Sequence, residues 1–280
     1  MIISGKAKLA GVMGWPVEHS CSPRLHGYWL QKHRVDGAYV PLAVEPGHFG
    51  QALRVLARLG FHGVNVTVPY KEAALAAVDV VDPLARRIGA VNTVTMRADG
   101  SLEGTNTDAY GFMEHLQASA PDWRASHGPV VVIGAGGAAR AVCVALVDAG
   151  LPEVRVVNRT LARAEALALA IGEPLRVLPW INRAGALQDA VLVVNSTLQG
   201  MVGQPPLDLD LASLPDQGIV YDIVYTPLKT PLLKAAAARG HRVVDGLGML
   251  LHQARPGFKA WFGVEPEVTE ELRDFVARGL

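Results

Sequence analysis

Short apolar runs alternating with helical patterns, a glycine-rich turn after one such run, and a length of 280 residues together predict an α/β protein of one large or two ordinary domains. Strands separated by helices imply a mostly parallel sheet. The glycine turn, Gly134-Ala135-Gly136-Gly137-Ala138-Ala139, follows Val130-Val131-Val132-Ile133 and leads into Arg140. It fits the strand, turn and helix start of a Rossmann-type unit, in which small residues let backbone N–H groups approach a pyrophosphate. Such turns also occur merely to pack a helix on a sheet, so their surroundings decide.

Taken in order, residues 9–14 read as a first strand, and Ser22-Pro23 opens a helix to about residue 33, with proline where its missing N–H costs little. Residues 38–44 form a second strand. Glu45-Pro46 starts a helix with Phe49, Leu53, Leu56 and Leu59 on one face, ending at Gly60. A third strand spans 63–69, helical pieces follow at 71–77 and 84–88, and strands at 91–96 and 101–103 are joined by a turn at Asp99-Gly100. A helix over 108–118 leads out of this first unit, and 121–129 is a surface loop. The second series has strands at 130–133, 154–157, 175–178, 191–195, 219–223 and 242–244, with an alanine-rich helix at 161–171. Helices at 247–261 and 267–277 close the chain and are expected to return to the first unit.

Half of the residues are hydrophobic, enough for a sizeable core. The 26 basic and 26 acidic residues cancel, so no global field favours nucleic acid or an anionic membrane, and any anion site has to be local. The two cysteines, Cys21 and Cys143, are far apart and support neither a disulfide framework nor a metal site; each is expected to be a small packing residue. The nine histidines show no ligand spacing, and no metal is expected. No apolar run reaches the ~18 residues of a membrane span. Lys6 and Lys8 before residues 9–14 look superficially like a signal peptide, but the apolar part is short and runs into Trp15-Pro16; a core strand and a cytoplasmic protein are the expectation. Nucleophile-elbow and phosphate-loop motifs are absent.

The chemistry-bearing residues lie near strand ends. After 154–157 come Asn158-Arg159-Thr160, with Arg163 one helical turn on. An NAD site places Asp or Glu there for the ribose 2′-hydroxyl; two guanidinium groups suit a 2′-phosphate and favour NADP, unless they are only a solvated helix face. Ser20 and Ser22 either cap the helix ahead of Pro23 or together hold a carboxylate. Asn65, Thr67 and Lys71 gather where Pro69 stops the third strand, and strand ends are where open α/β sheets bind ligands. Lys71 is an acid/base candidate or a solvated lysine. Asn92 follows Gly89-Ala90-Val91, and Asp108 follows Gly104-Thr105-Asn106-Thr107. Asp108 either caps the next helix or pairs with Lys71 to orient an alcohol or carbonyl and shuttle its proton.

Together the segments resemble the shikimate dehydrogenase family nearly end to end. The resemblance rests on the 14–23 segment Gly-Trp-Pro-Val-Glu-His-Ser-Cys-Ser-Pro, on 63–71, 88–93 and 104–108, on the glycine turn and Asn158-Arg159-Thr160 with Arg163, on 221–227, and on Gly246-Leu247-Gly248-Met249-Leu250 leading to Gln253. It implies a mostly parallel N-terminal α/β substrate domain (1–107) completed by C-terminal helices (243–280). An inserted Rossmann-type NADP domain (108–242) would lie between, with a cleft separating the two. It implies NADPH-dependent reversible reduction of 3-dehydroshikimate to shikimate by a monomer or homodimer. Ser20 and Ser22, helped by Tyr225, would bind the substrate carboxylate, and Asn65, Thr67, Asn92, Asp108 and Gln253 its ring side. Lys71 would be the acid/base with Asp108 as its partner. Gly134, Ala135, Gly136, Gly137, Ala138, Asn158, Arg159, Thr160, Arg163, Ile223 and Gly246 would hold the cofactor. The residue types suit this chemistry, because an ammonium stabilises charge arriving on a carbonyl oxygen and can donate the proton.

Two departures from the family pattern leave room for altered substrate preference, including quinate: Trp15 stands where Asn is common, and Asn195-Ser196-Thr197-Leu198-Gln199-Gly200-Met201 differs from the frequent Asn-Ala-Thr pattern. A quinate/shikimate dehydrogenase is therefore one alternative. A non-catalytic NADP-binding regulatory module is another, which retention of both Lys71 and Asp108 disfavours.

Overall fold

The computed structural model describes residues 2–280. The chain divides into two units: the first ends at Gly111 and resumes over Leu250–Gly279, and the second is Phe112–Met249. Both crossings fall inside helices, α5 (Asp108–Ser119) and α9 (Gly246–Phe262). The second unit thus runs past residue 242, the edge expected from the sequence, because β12 (Arg242–Val244) pairs with its sheet.

The first unit comprises β1 (Lys8–Gly14), α1 (Ser22–Lys32), β2 (Gly37–Ala43), α2 (Phe49–Arg58), β3 (Phe61–Val66), α3 (Lys71–Ala77), β4 (Val80–Val81), α4 (Pro83–Ile88), β5 (Thr93–Met96) and β6 (Leu102–Thr105). The start of α5, most of α9 and α10 (Glu270–Ala277) complete it. Its sheet order is β2-β1-β3-β5-β6-β4. Only β5 runs against the others, antiparallel to β3 and to β6, so the sheet is mostly parallel as expected but carries one reversal. The short β4 was not expected. Helix α2 begins at Phe49 and not at Glu45, because Gly47 takes φ +91° and His48 N donates to Glu45 O at 3.2 Å, closing a turn first.

Strand β3 shows how the two faces are filled. Val64 and Val66 join Met13, Leu53, Leu56, Tyr70 and Ala74 in the core on one side. Gly63 and Asn65 alternate to the other side. A Cβ on Gly63 would collide with the Trp261 indole of α9, whose Nε1 donates to Val94 O at 3.1 Å. On that same side Tyr39, in register with Ala10, stacks on His26 of α1 with ring centroids 3.9 Å apart. His26 is fully buried among Trp29, Tyr39, Phe258 and Trp261.

The second unit comprises the rest of α5, then β7 (Val130–Ile133), α6 (Gly137–Asp148), β8 (Val154–Val157), α7 (Leu161–Ile171), β9 (Leu175–Leu178), β10 (Leu192–Asn195), β11 (Ile219–Asp222), α8 (Pro231–Ala238) and β12. All six strands are parallel, in the order β12-β11-β10-β7-β8-β9. Counted from β7 this is the 3-2-1-4-5-6 order of a dinucleotide-binding sheet, with its switch point between β7 and β10. Val131, Ile133, Val157, Val193 and Val220 build the core of one face with Leu187, Leu211, Leu232 and Leu233. The valine-rich runs of β7 and β10 are buried on both faces, as central parallel strands require.

Burial pushes the His26 pKa down from 6.5 to about 3, so the folded chain holds the ring neutral where the unfolded chain would protonate it. Its contribution to stability is complete above the unfolded value and is lost as pH falls, by up to about 1.4 kcal/mol per pH unit. We expect His26→Phe to remove about one proton from the pH dependence of the unfolding free energy between about pH 4 and 6. Urea denaturation series across that range check this.

Candidate functional site

In the first unit, β1, β3 and β6 end at one edge of the sheet, and the reversed β5 begins there. The topology therefore brings four segments together: Trp15 to Ser22 after β1, Thr67 to Lys71 after β3, Asn92 before β5, and Asn106 to Asp108 after β6. Every candidate substrate residue of this unit except Asn65 and Gln253 lies on these segments.

Lys71 is the first residue of α3 and Asp108 the first of α5. Lys71 Nζ donates to Asp108 Oδ2 at 2.5 Å, with side chains 19% and 6% exposed. Asn92 Nδ2 donates to Asp108 Oδ1 at 2.8 Å and approaches Gln253 Oε1 of α9 at 3.2 Å and Thr107 Oγ1 at 3.0 Å. Thr107 N donates to Asn92 Oδ1 at 2.8 Å, which settles the orientation of that amide. Asp108 N in turn donates to Asn106 Oδ1 at 3.0 Å, and Asn106 Nδ2 to Ala90 O at 2.9 Å.

Asn65 is placed differently from the sequence expectation. It is buried, and its amide hydrogens go to Asn92 O at 3.3 Å and Thr93 Oγ1 at 3.1 Å, while its Oδ1 accepts from the Tyr39 hydroxyl at 2.6 Å. It supports the site from within the protein. Thr67 is half-buried, and a Cβ on Gly14 would collide with its Cγ2, so the glycine at the end of β1 makes room for it. The N-cap of α1 is Cys21, without a side-chain cap, and Ser20 Oγ accepts from Ser22 N at 3.3 Å. Neither serine is the simple cap considered above. Trp15 is 40% exposed, and its N donates to Val68 O at 3.1 Å.

The second unit holds the glycine turn at the switch point. Gly134 takes φ +120°, and a Cβ there would stand 2.5 Å from Ser196 Oγ. Ser196 follows β10 and donates through both N and Oγ to Ile133 O, at 2.9 and 2.7 Å, stitching the ends of β7 and β10 together. Gly136 caps α6, and a Cβ on it would meet only open space. Ala135 is buried, whereas Gly137 and Ala138 are half-buried in the first turn of α6. A helix N-terminus with free space before it suits a pyrophosphate. After β8, Asn158 Nδ2 donates to Thr160 O at 2.8 Å, Thr160 caps α7, and Arg159 and Arg163 are exposed at that helix start. No carboxylate ends β8, so the residues fit a 2′-phosphorylated dinucleotide.

Further along the strand ends, Gly246 packs directly on the Ile223 carbonyl, leaving no room for a Cβ, and Ile223 N donates to Asn195 O at 3.0 Å. Tyr225 lies half-buried two residues beyond Ile223. Asp222, at the end of β11, is fully buried: Asn195 Nδ2 and Val224 N donate to its Oδ1 at 2.9 and 3.0 Å, and Thr230 Oγ1 to its Oδ2 at 2.7 Å. Burial pushes its pKa up to about 6, against those three donors. Sequence reasoning missed Asp222, Thr93, Thr107 and Tyr39. Asp222, Thr93 and Thr107 sit inside quoted motifs and Tyr39 inside an expected strand, but their side-chain direction is set by strand register. Cys21 and Cys143 are free and buried, and burial raises both thiols, Cys143 to about 12.

Among the described residues no group of three or more His, Cys, Asp or Glu could hold a metal ion, and no helix is long and apolar enough to cross a membrane.

Two family models match the chain: the shikimate dehydrogenase substrate binding domain over residues 12–94, and shikimate / quinate 5-dehydrogenase over 117–201. A shikimate dehydrogenase (NADP(+)) of Paramagnetospirillum magneticum is 60% identical over 274 residues, covering 98% of this chain and 99% of the relative. Among solved structures, shikimate 5-dehydrogenase of Thermus thermophilus in complex with NADP(H) and shikimate is similar at TM-score 0.86 and 41% identity, covering 98% of this chain and 100% of that one. Quinate dehydrogenase of Corynebacterium glutamicum in complex with NAD is similar at TM-score 0.88 and 33% identity, covering 96% and 98%.

At the glycine turn, Gly134→Ala forces an unfavourable φ and displaces the Ser196 hydroxyl. We expect a loss of about 1–3 kcal/mol in stability, read as a lower thermal midpoint, together with weaker dinucleotide binding in a fluorescence titration.

Proposed function

The chain belongs to the shikimate dehydrogenase family, and on that premise we propose that it reduces 3-dehydroshikimate to shikimate reversibly with NADPH, using Lys71 as acid/base. The observation that carries the reading is the 2.5 Å contact between Lys71 Nζ and a nearly buried Asp108 carboxylate at a strand-end edge. A binding module has no use for such a pair.

The first unit is assigned to the substrate and the second to the cofactor. When bound, NADPH supplies the hydride. As negative charge grows on the ring oxygen, the Lys71 ammonium stabilises it and delivers the proton, and in the reverse direction the amine takes it back. Asp108 holds the ammonium in line and accepts from a neighbouring ring hydroxyl. Asn92 and Gln253 set the ring register, Thr67 adds a hydroxyl partner, and Ser20 and Ser22 receive the carboxylate at the start of α1. Gly134 to Ala138 and the start of α6 take the pyrophosphate. Asn158, Arg159, Thr160 and Arg163 take the 2′-phosphate side, and Ile223 and Gly246 the backbone wall further along the sheet.

Acceptance of quinate is a second reading, supported by Trp15 beside the carboxylate-binding serines and by the likeness to a quinate dehydrogenase. Oxidation assays with shikimate and quinate, each with NADP+ and NAD+, separate the two.

Two variants test the roles. Lys71→Ala should lower kcat for shikimate oxidation by about 100-fold or more while moving KM only slightly; wild-type turnover would remove the assignment. Arg159→Ala should raise KM for NADP+ by roughly tenfold and leave any reaction with NAD+ unchanged, as steady-state kinetics with the two cofactors will read.

A further inference from the structure

One hydroxyl in the first unit has a position that its sequence motif does not explain. Thr93 opens β5, pairs across the sheet with Asn65 and Thr105, and is 2% exposed. Its Oγ1 accepts from Asn65 Nδ2 at 3.1 Å and lies 3.0 Å from Asn92 Oδ1.

The directions of these bonds follow from the backbone. Asn65 Nδ2 also faces the carbonyl of Asn92, so the nitrogen, not the oxygen, of that amide points at Thr93. With its oxygen accepting there, the Thr93 hydroxyl has its hydrogen to give, and Asn92 Oδ1 stands in its path. At the far end Tyr39 donates to Asn65 Oδ1, and burial holds that phenol well above its ordinary pKa, with a smaller opposing effect of the Ser22 hydroxyl. The bonds therefore run in one sense: Tyr39 to Asn65, Asn65 to Thr93, Thr93 to Asn92, Asn92 to Asp108, with Lys71 on the other carboxylate oxygen. Aligned hydrogen bonds in a dry interior polarise one another, and the line ends on the one anionic group present in it.

We propose that Thr93 is a positioning residue of the site, its hydroxyl holding the Asn65 amide and adding a second donor to Asn92 Oδ1 beside Thr107 N, so that Asn92 is pinned with its N–H groups toward Asp108 and Gln253 and Tyr39 anchors the line from behind. Thr93 does not touch the substrate. It acts through Asn92, so its loss should tell on substrate binding and turnover and leave the cofactor untouched. The proposal rests on the assignment of Lys71 and Asp108 made above.

Thr93→Val keeps the shape and removes the hydroxyl; Thr93→Ser keeps the hydroxyl and removes a methyl. In shikimate oxidation with NADP+, Thr93→Val should lose about tenfold or more in kcat/KM for shikimate, with KM for NADP+ within about twofold of wild type. Thr93→Ser should recover to within about threefold, and Tyr39→Phe should lose about threefold. A Thr93→Val enzyme with wild-type kcat/KM overturns the proposal, as does a Thr93→Ser enzyme as impaired as the valine variant, which would make the effect one of packing. If Thr93→Val does not fold, Tyr39→Phe decides: wild-type kinetics there overturn it. Lys71→Ala, run beside these, separates the outcomes, because an active Lys71→Ala removes the underlying assignment whatever Thr93 does.

Discussion

The Asp108 carboxylate, 6% exposed, sets the terms for the first unit. Burying such a charge without partners costs several kcal/mol, so the surrounding chain has to supply donors from more than one direction. Lys71 supplies one at 2.5 Å and Asn92 another at 2.8 Å, and the start of α5 adds the positive end of a helix. Neither side chain is close to Asp108 in sequence. They meet because β5 is reversed between β3 and β6, which carries the residue preceding it to the edge where its neighbours end. A fully parallel sheet would have put Asn92 at the opposite edge, out of reach of Asp108.

Much of the second unit was legible in the sequence because each of its signals is local. Four strands and helix α7 were expected with the bounds observed: β7 reads as an unbroken buried valine run, β8, β9 and β12 as short branched runs carrying one arginine each, and α7 as an uninterrupted alanine-rich stretch. The close approach of Gly134 to Ser196 follows the same logic, a glycine needed where two loops meet. The first unit was legible in its elements and less so in its directions. The Asp99-Gly100 turn makes β5 and β6 an antiparallel pair, but nothing in residues 91–105 says that β5 inserts between β3 and β6, and the two-residue β4 is too short to leave a pattern. The start of α2 departs from expectation because Pro46 can open either a helix or a turn, and only the positive φ of Gly47 decides.

The site was legible as residue types and not as a network. Lys71 and Asp108 could be paired on paper because each follows a strand. Tyr39, Asn65 and Thr93 could not be, because their partners depend on cross-strand register and on a face shared with α1 and α9. Asn65 shows the difference: its place at the end of a strand suggested a ligand contact, yet its position one residue beyond Val64 turns it to the face where Tyr39 and Thr93 already claim its amide.

Two buried carboxylates at strand ends, Asp108 and Asp222, make the contrast between chemistry and architecture concrete. Asp108 faces a lysine whose side chain is still 19% exposed, so one end of the pair remains open to solvent. Asp222 faces only neutral donors, from Asn195, Val224 and Thr230, and is fully enclosed. Burial lifts its pKa to about 6 with no cation to oppose it. What Asp222 gains is geometric: one side chain ties the end of β10, the loop after β11 and the cap of α8 into a single corner. Perturbed ionisation alone would have singled out Asp222; a charged partner with access to solvent is what sets Asp108 apart.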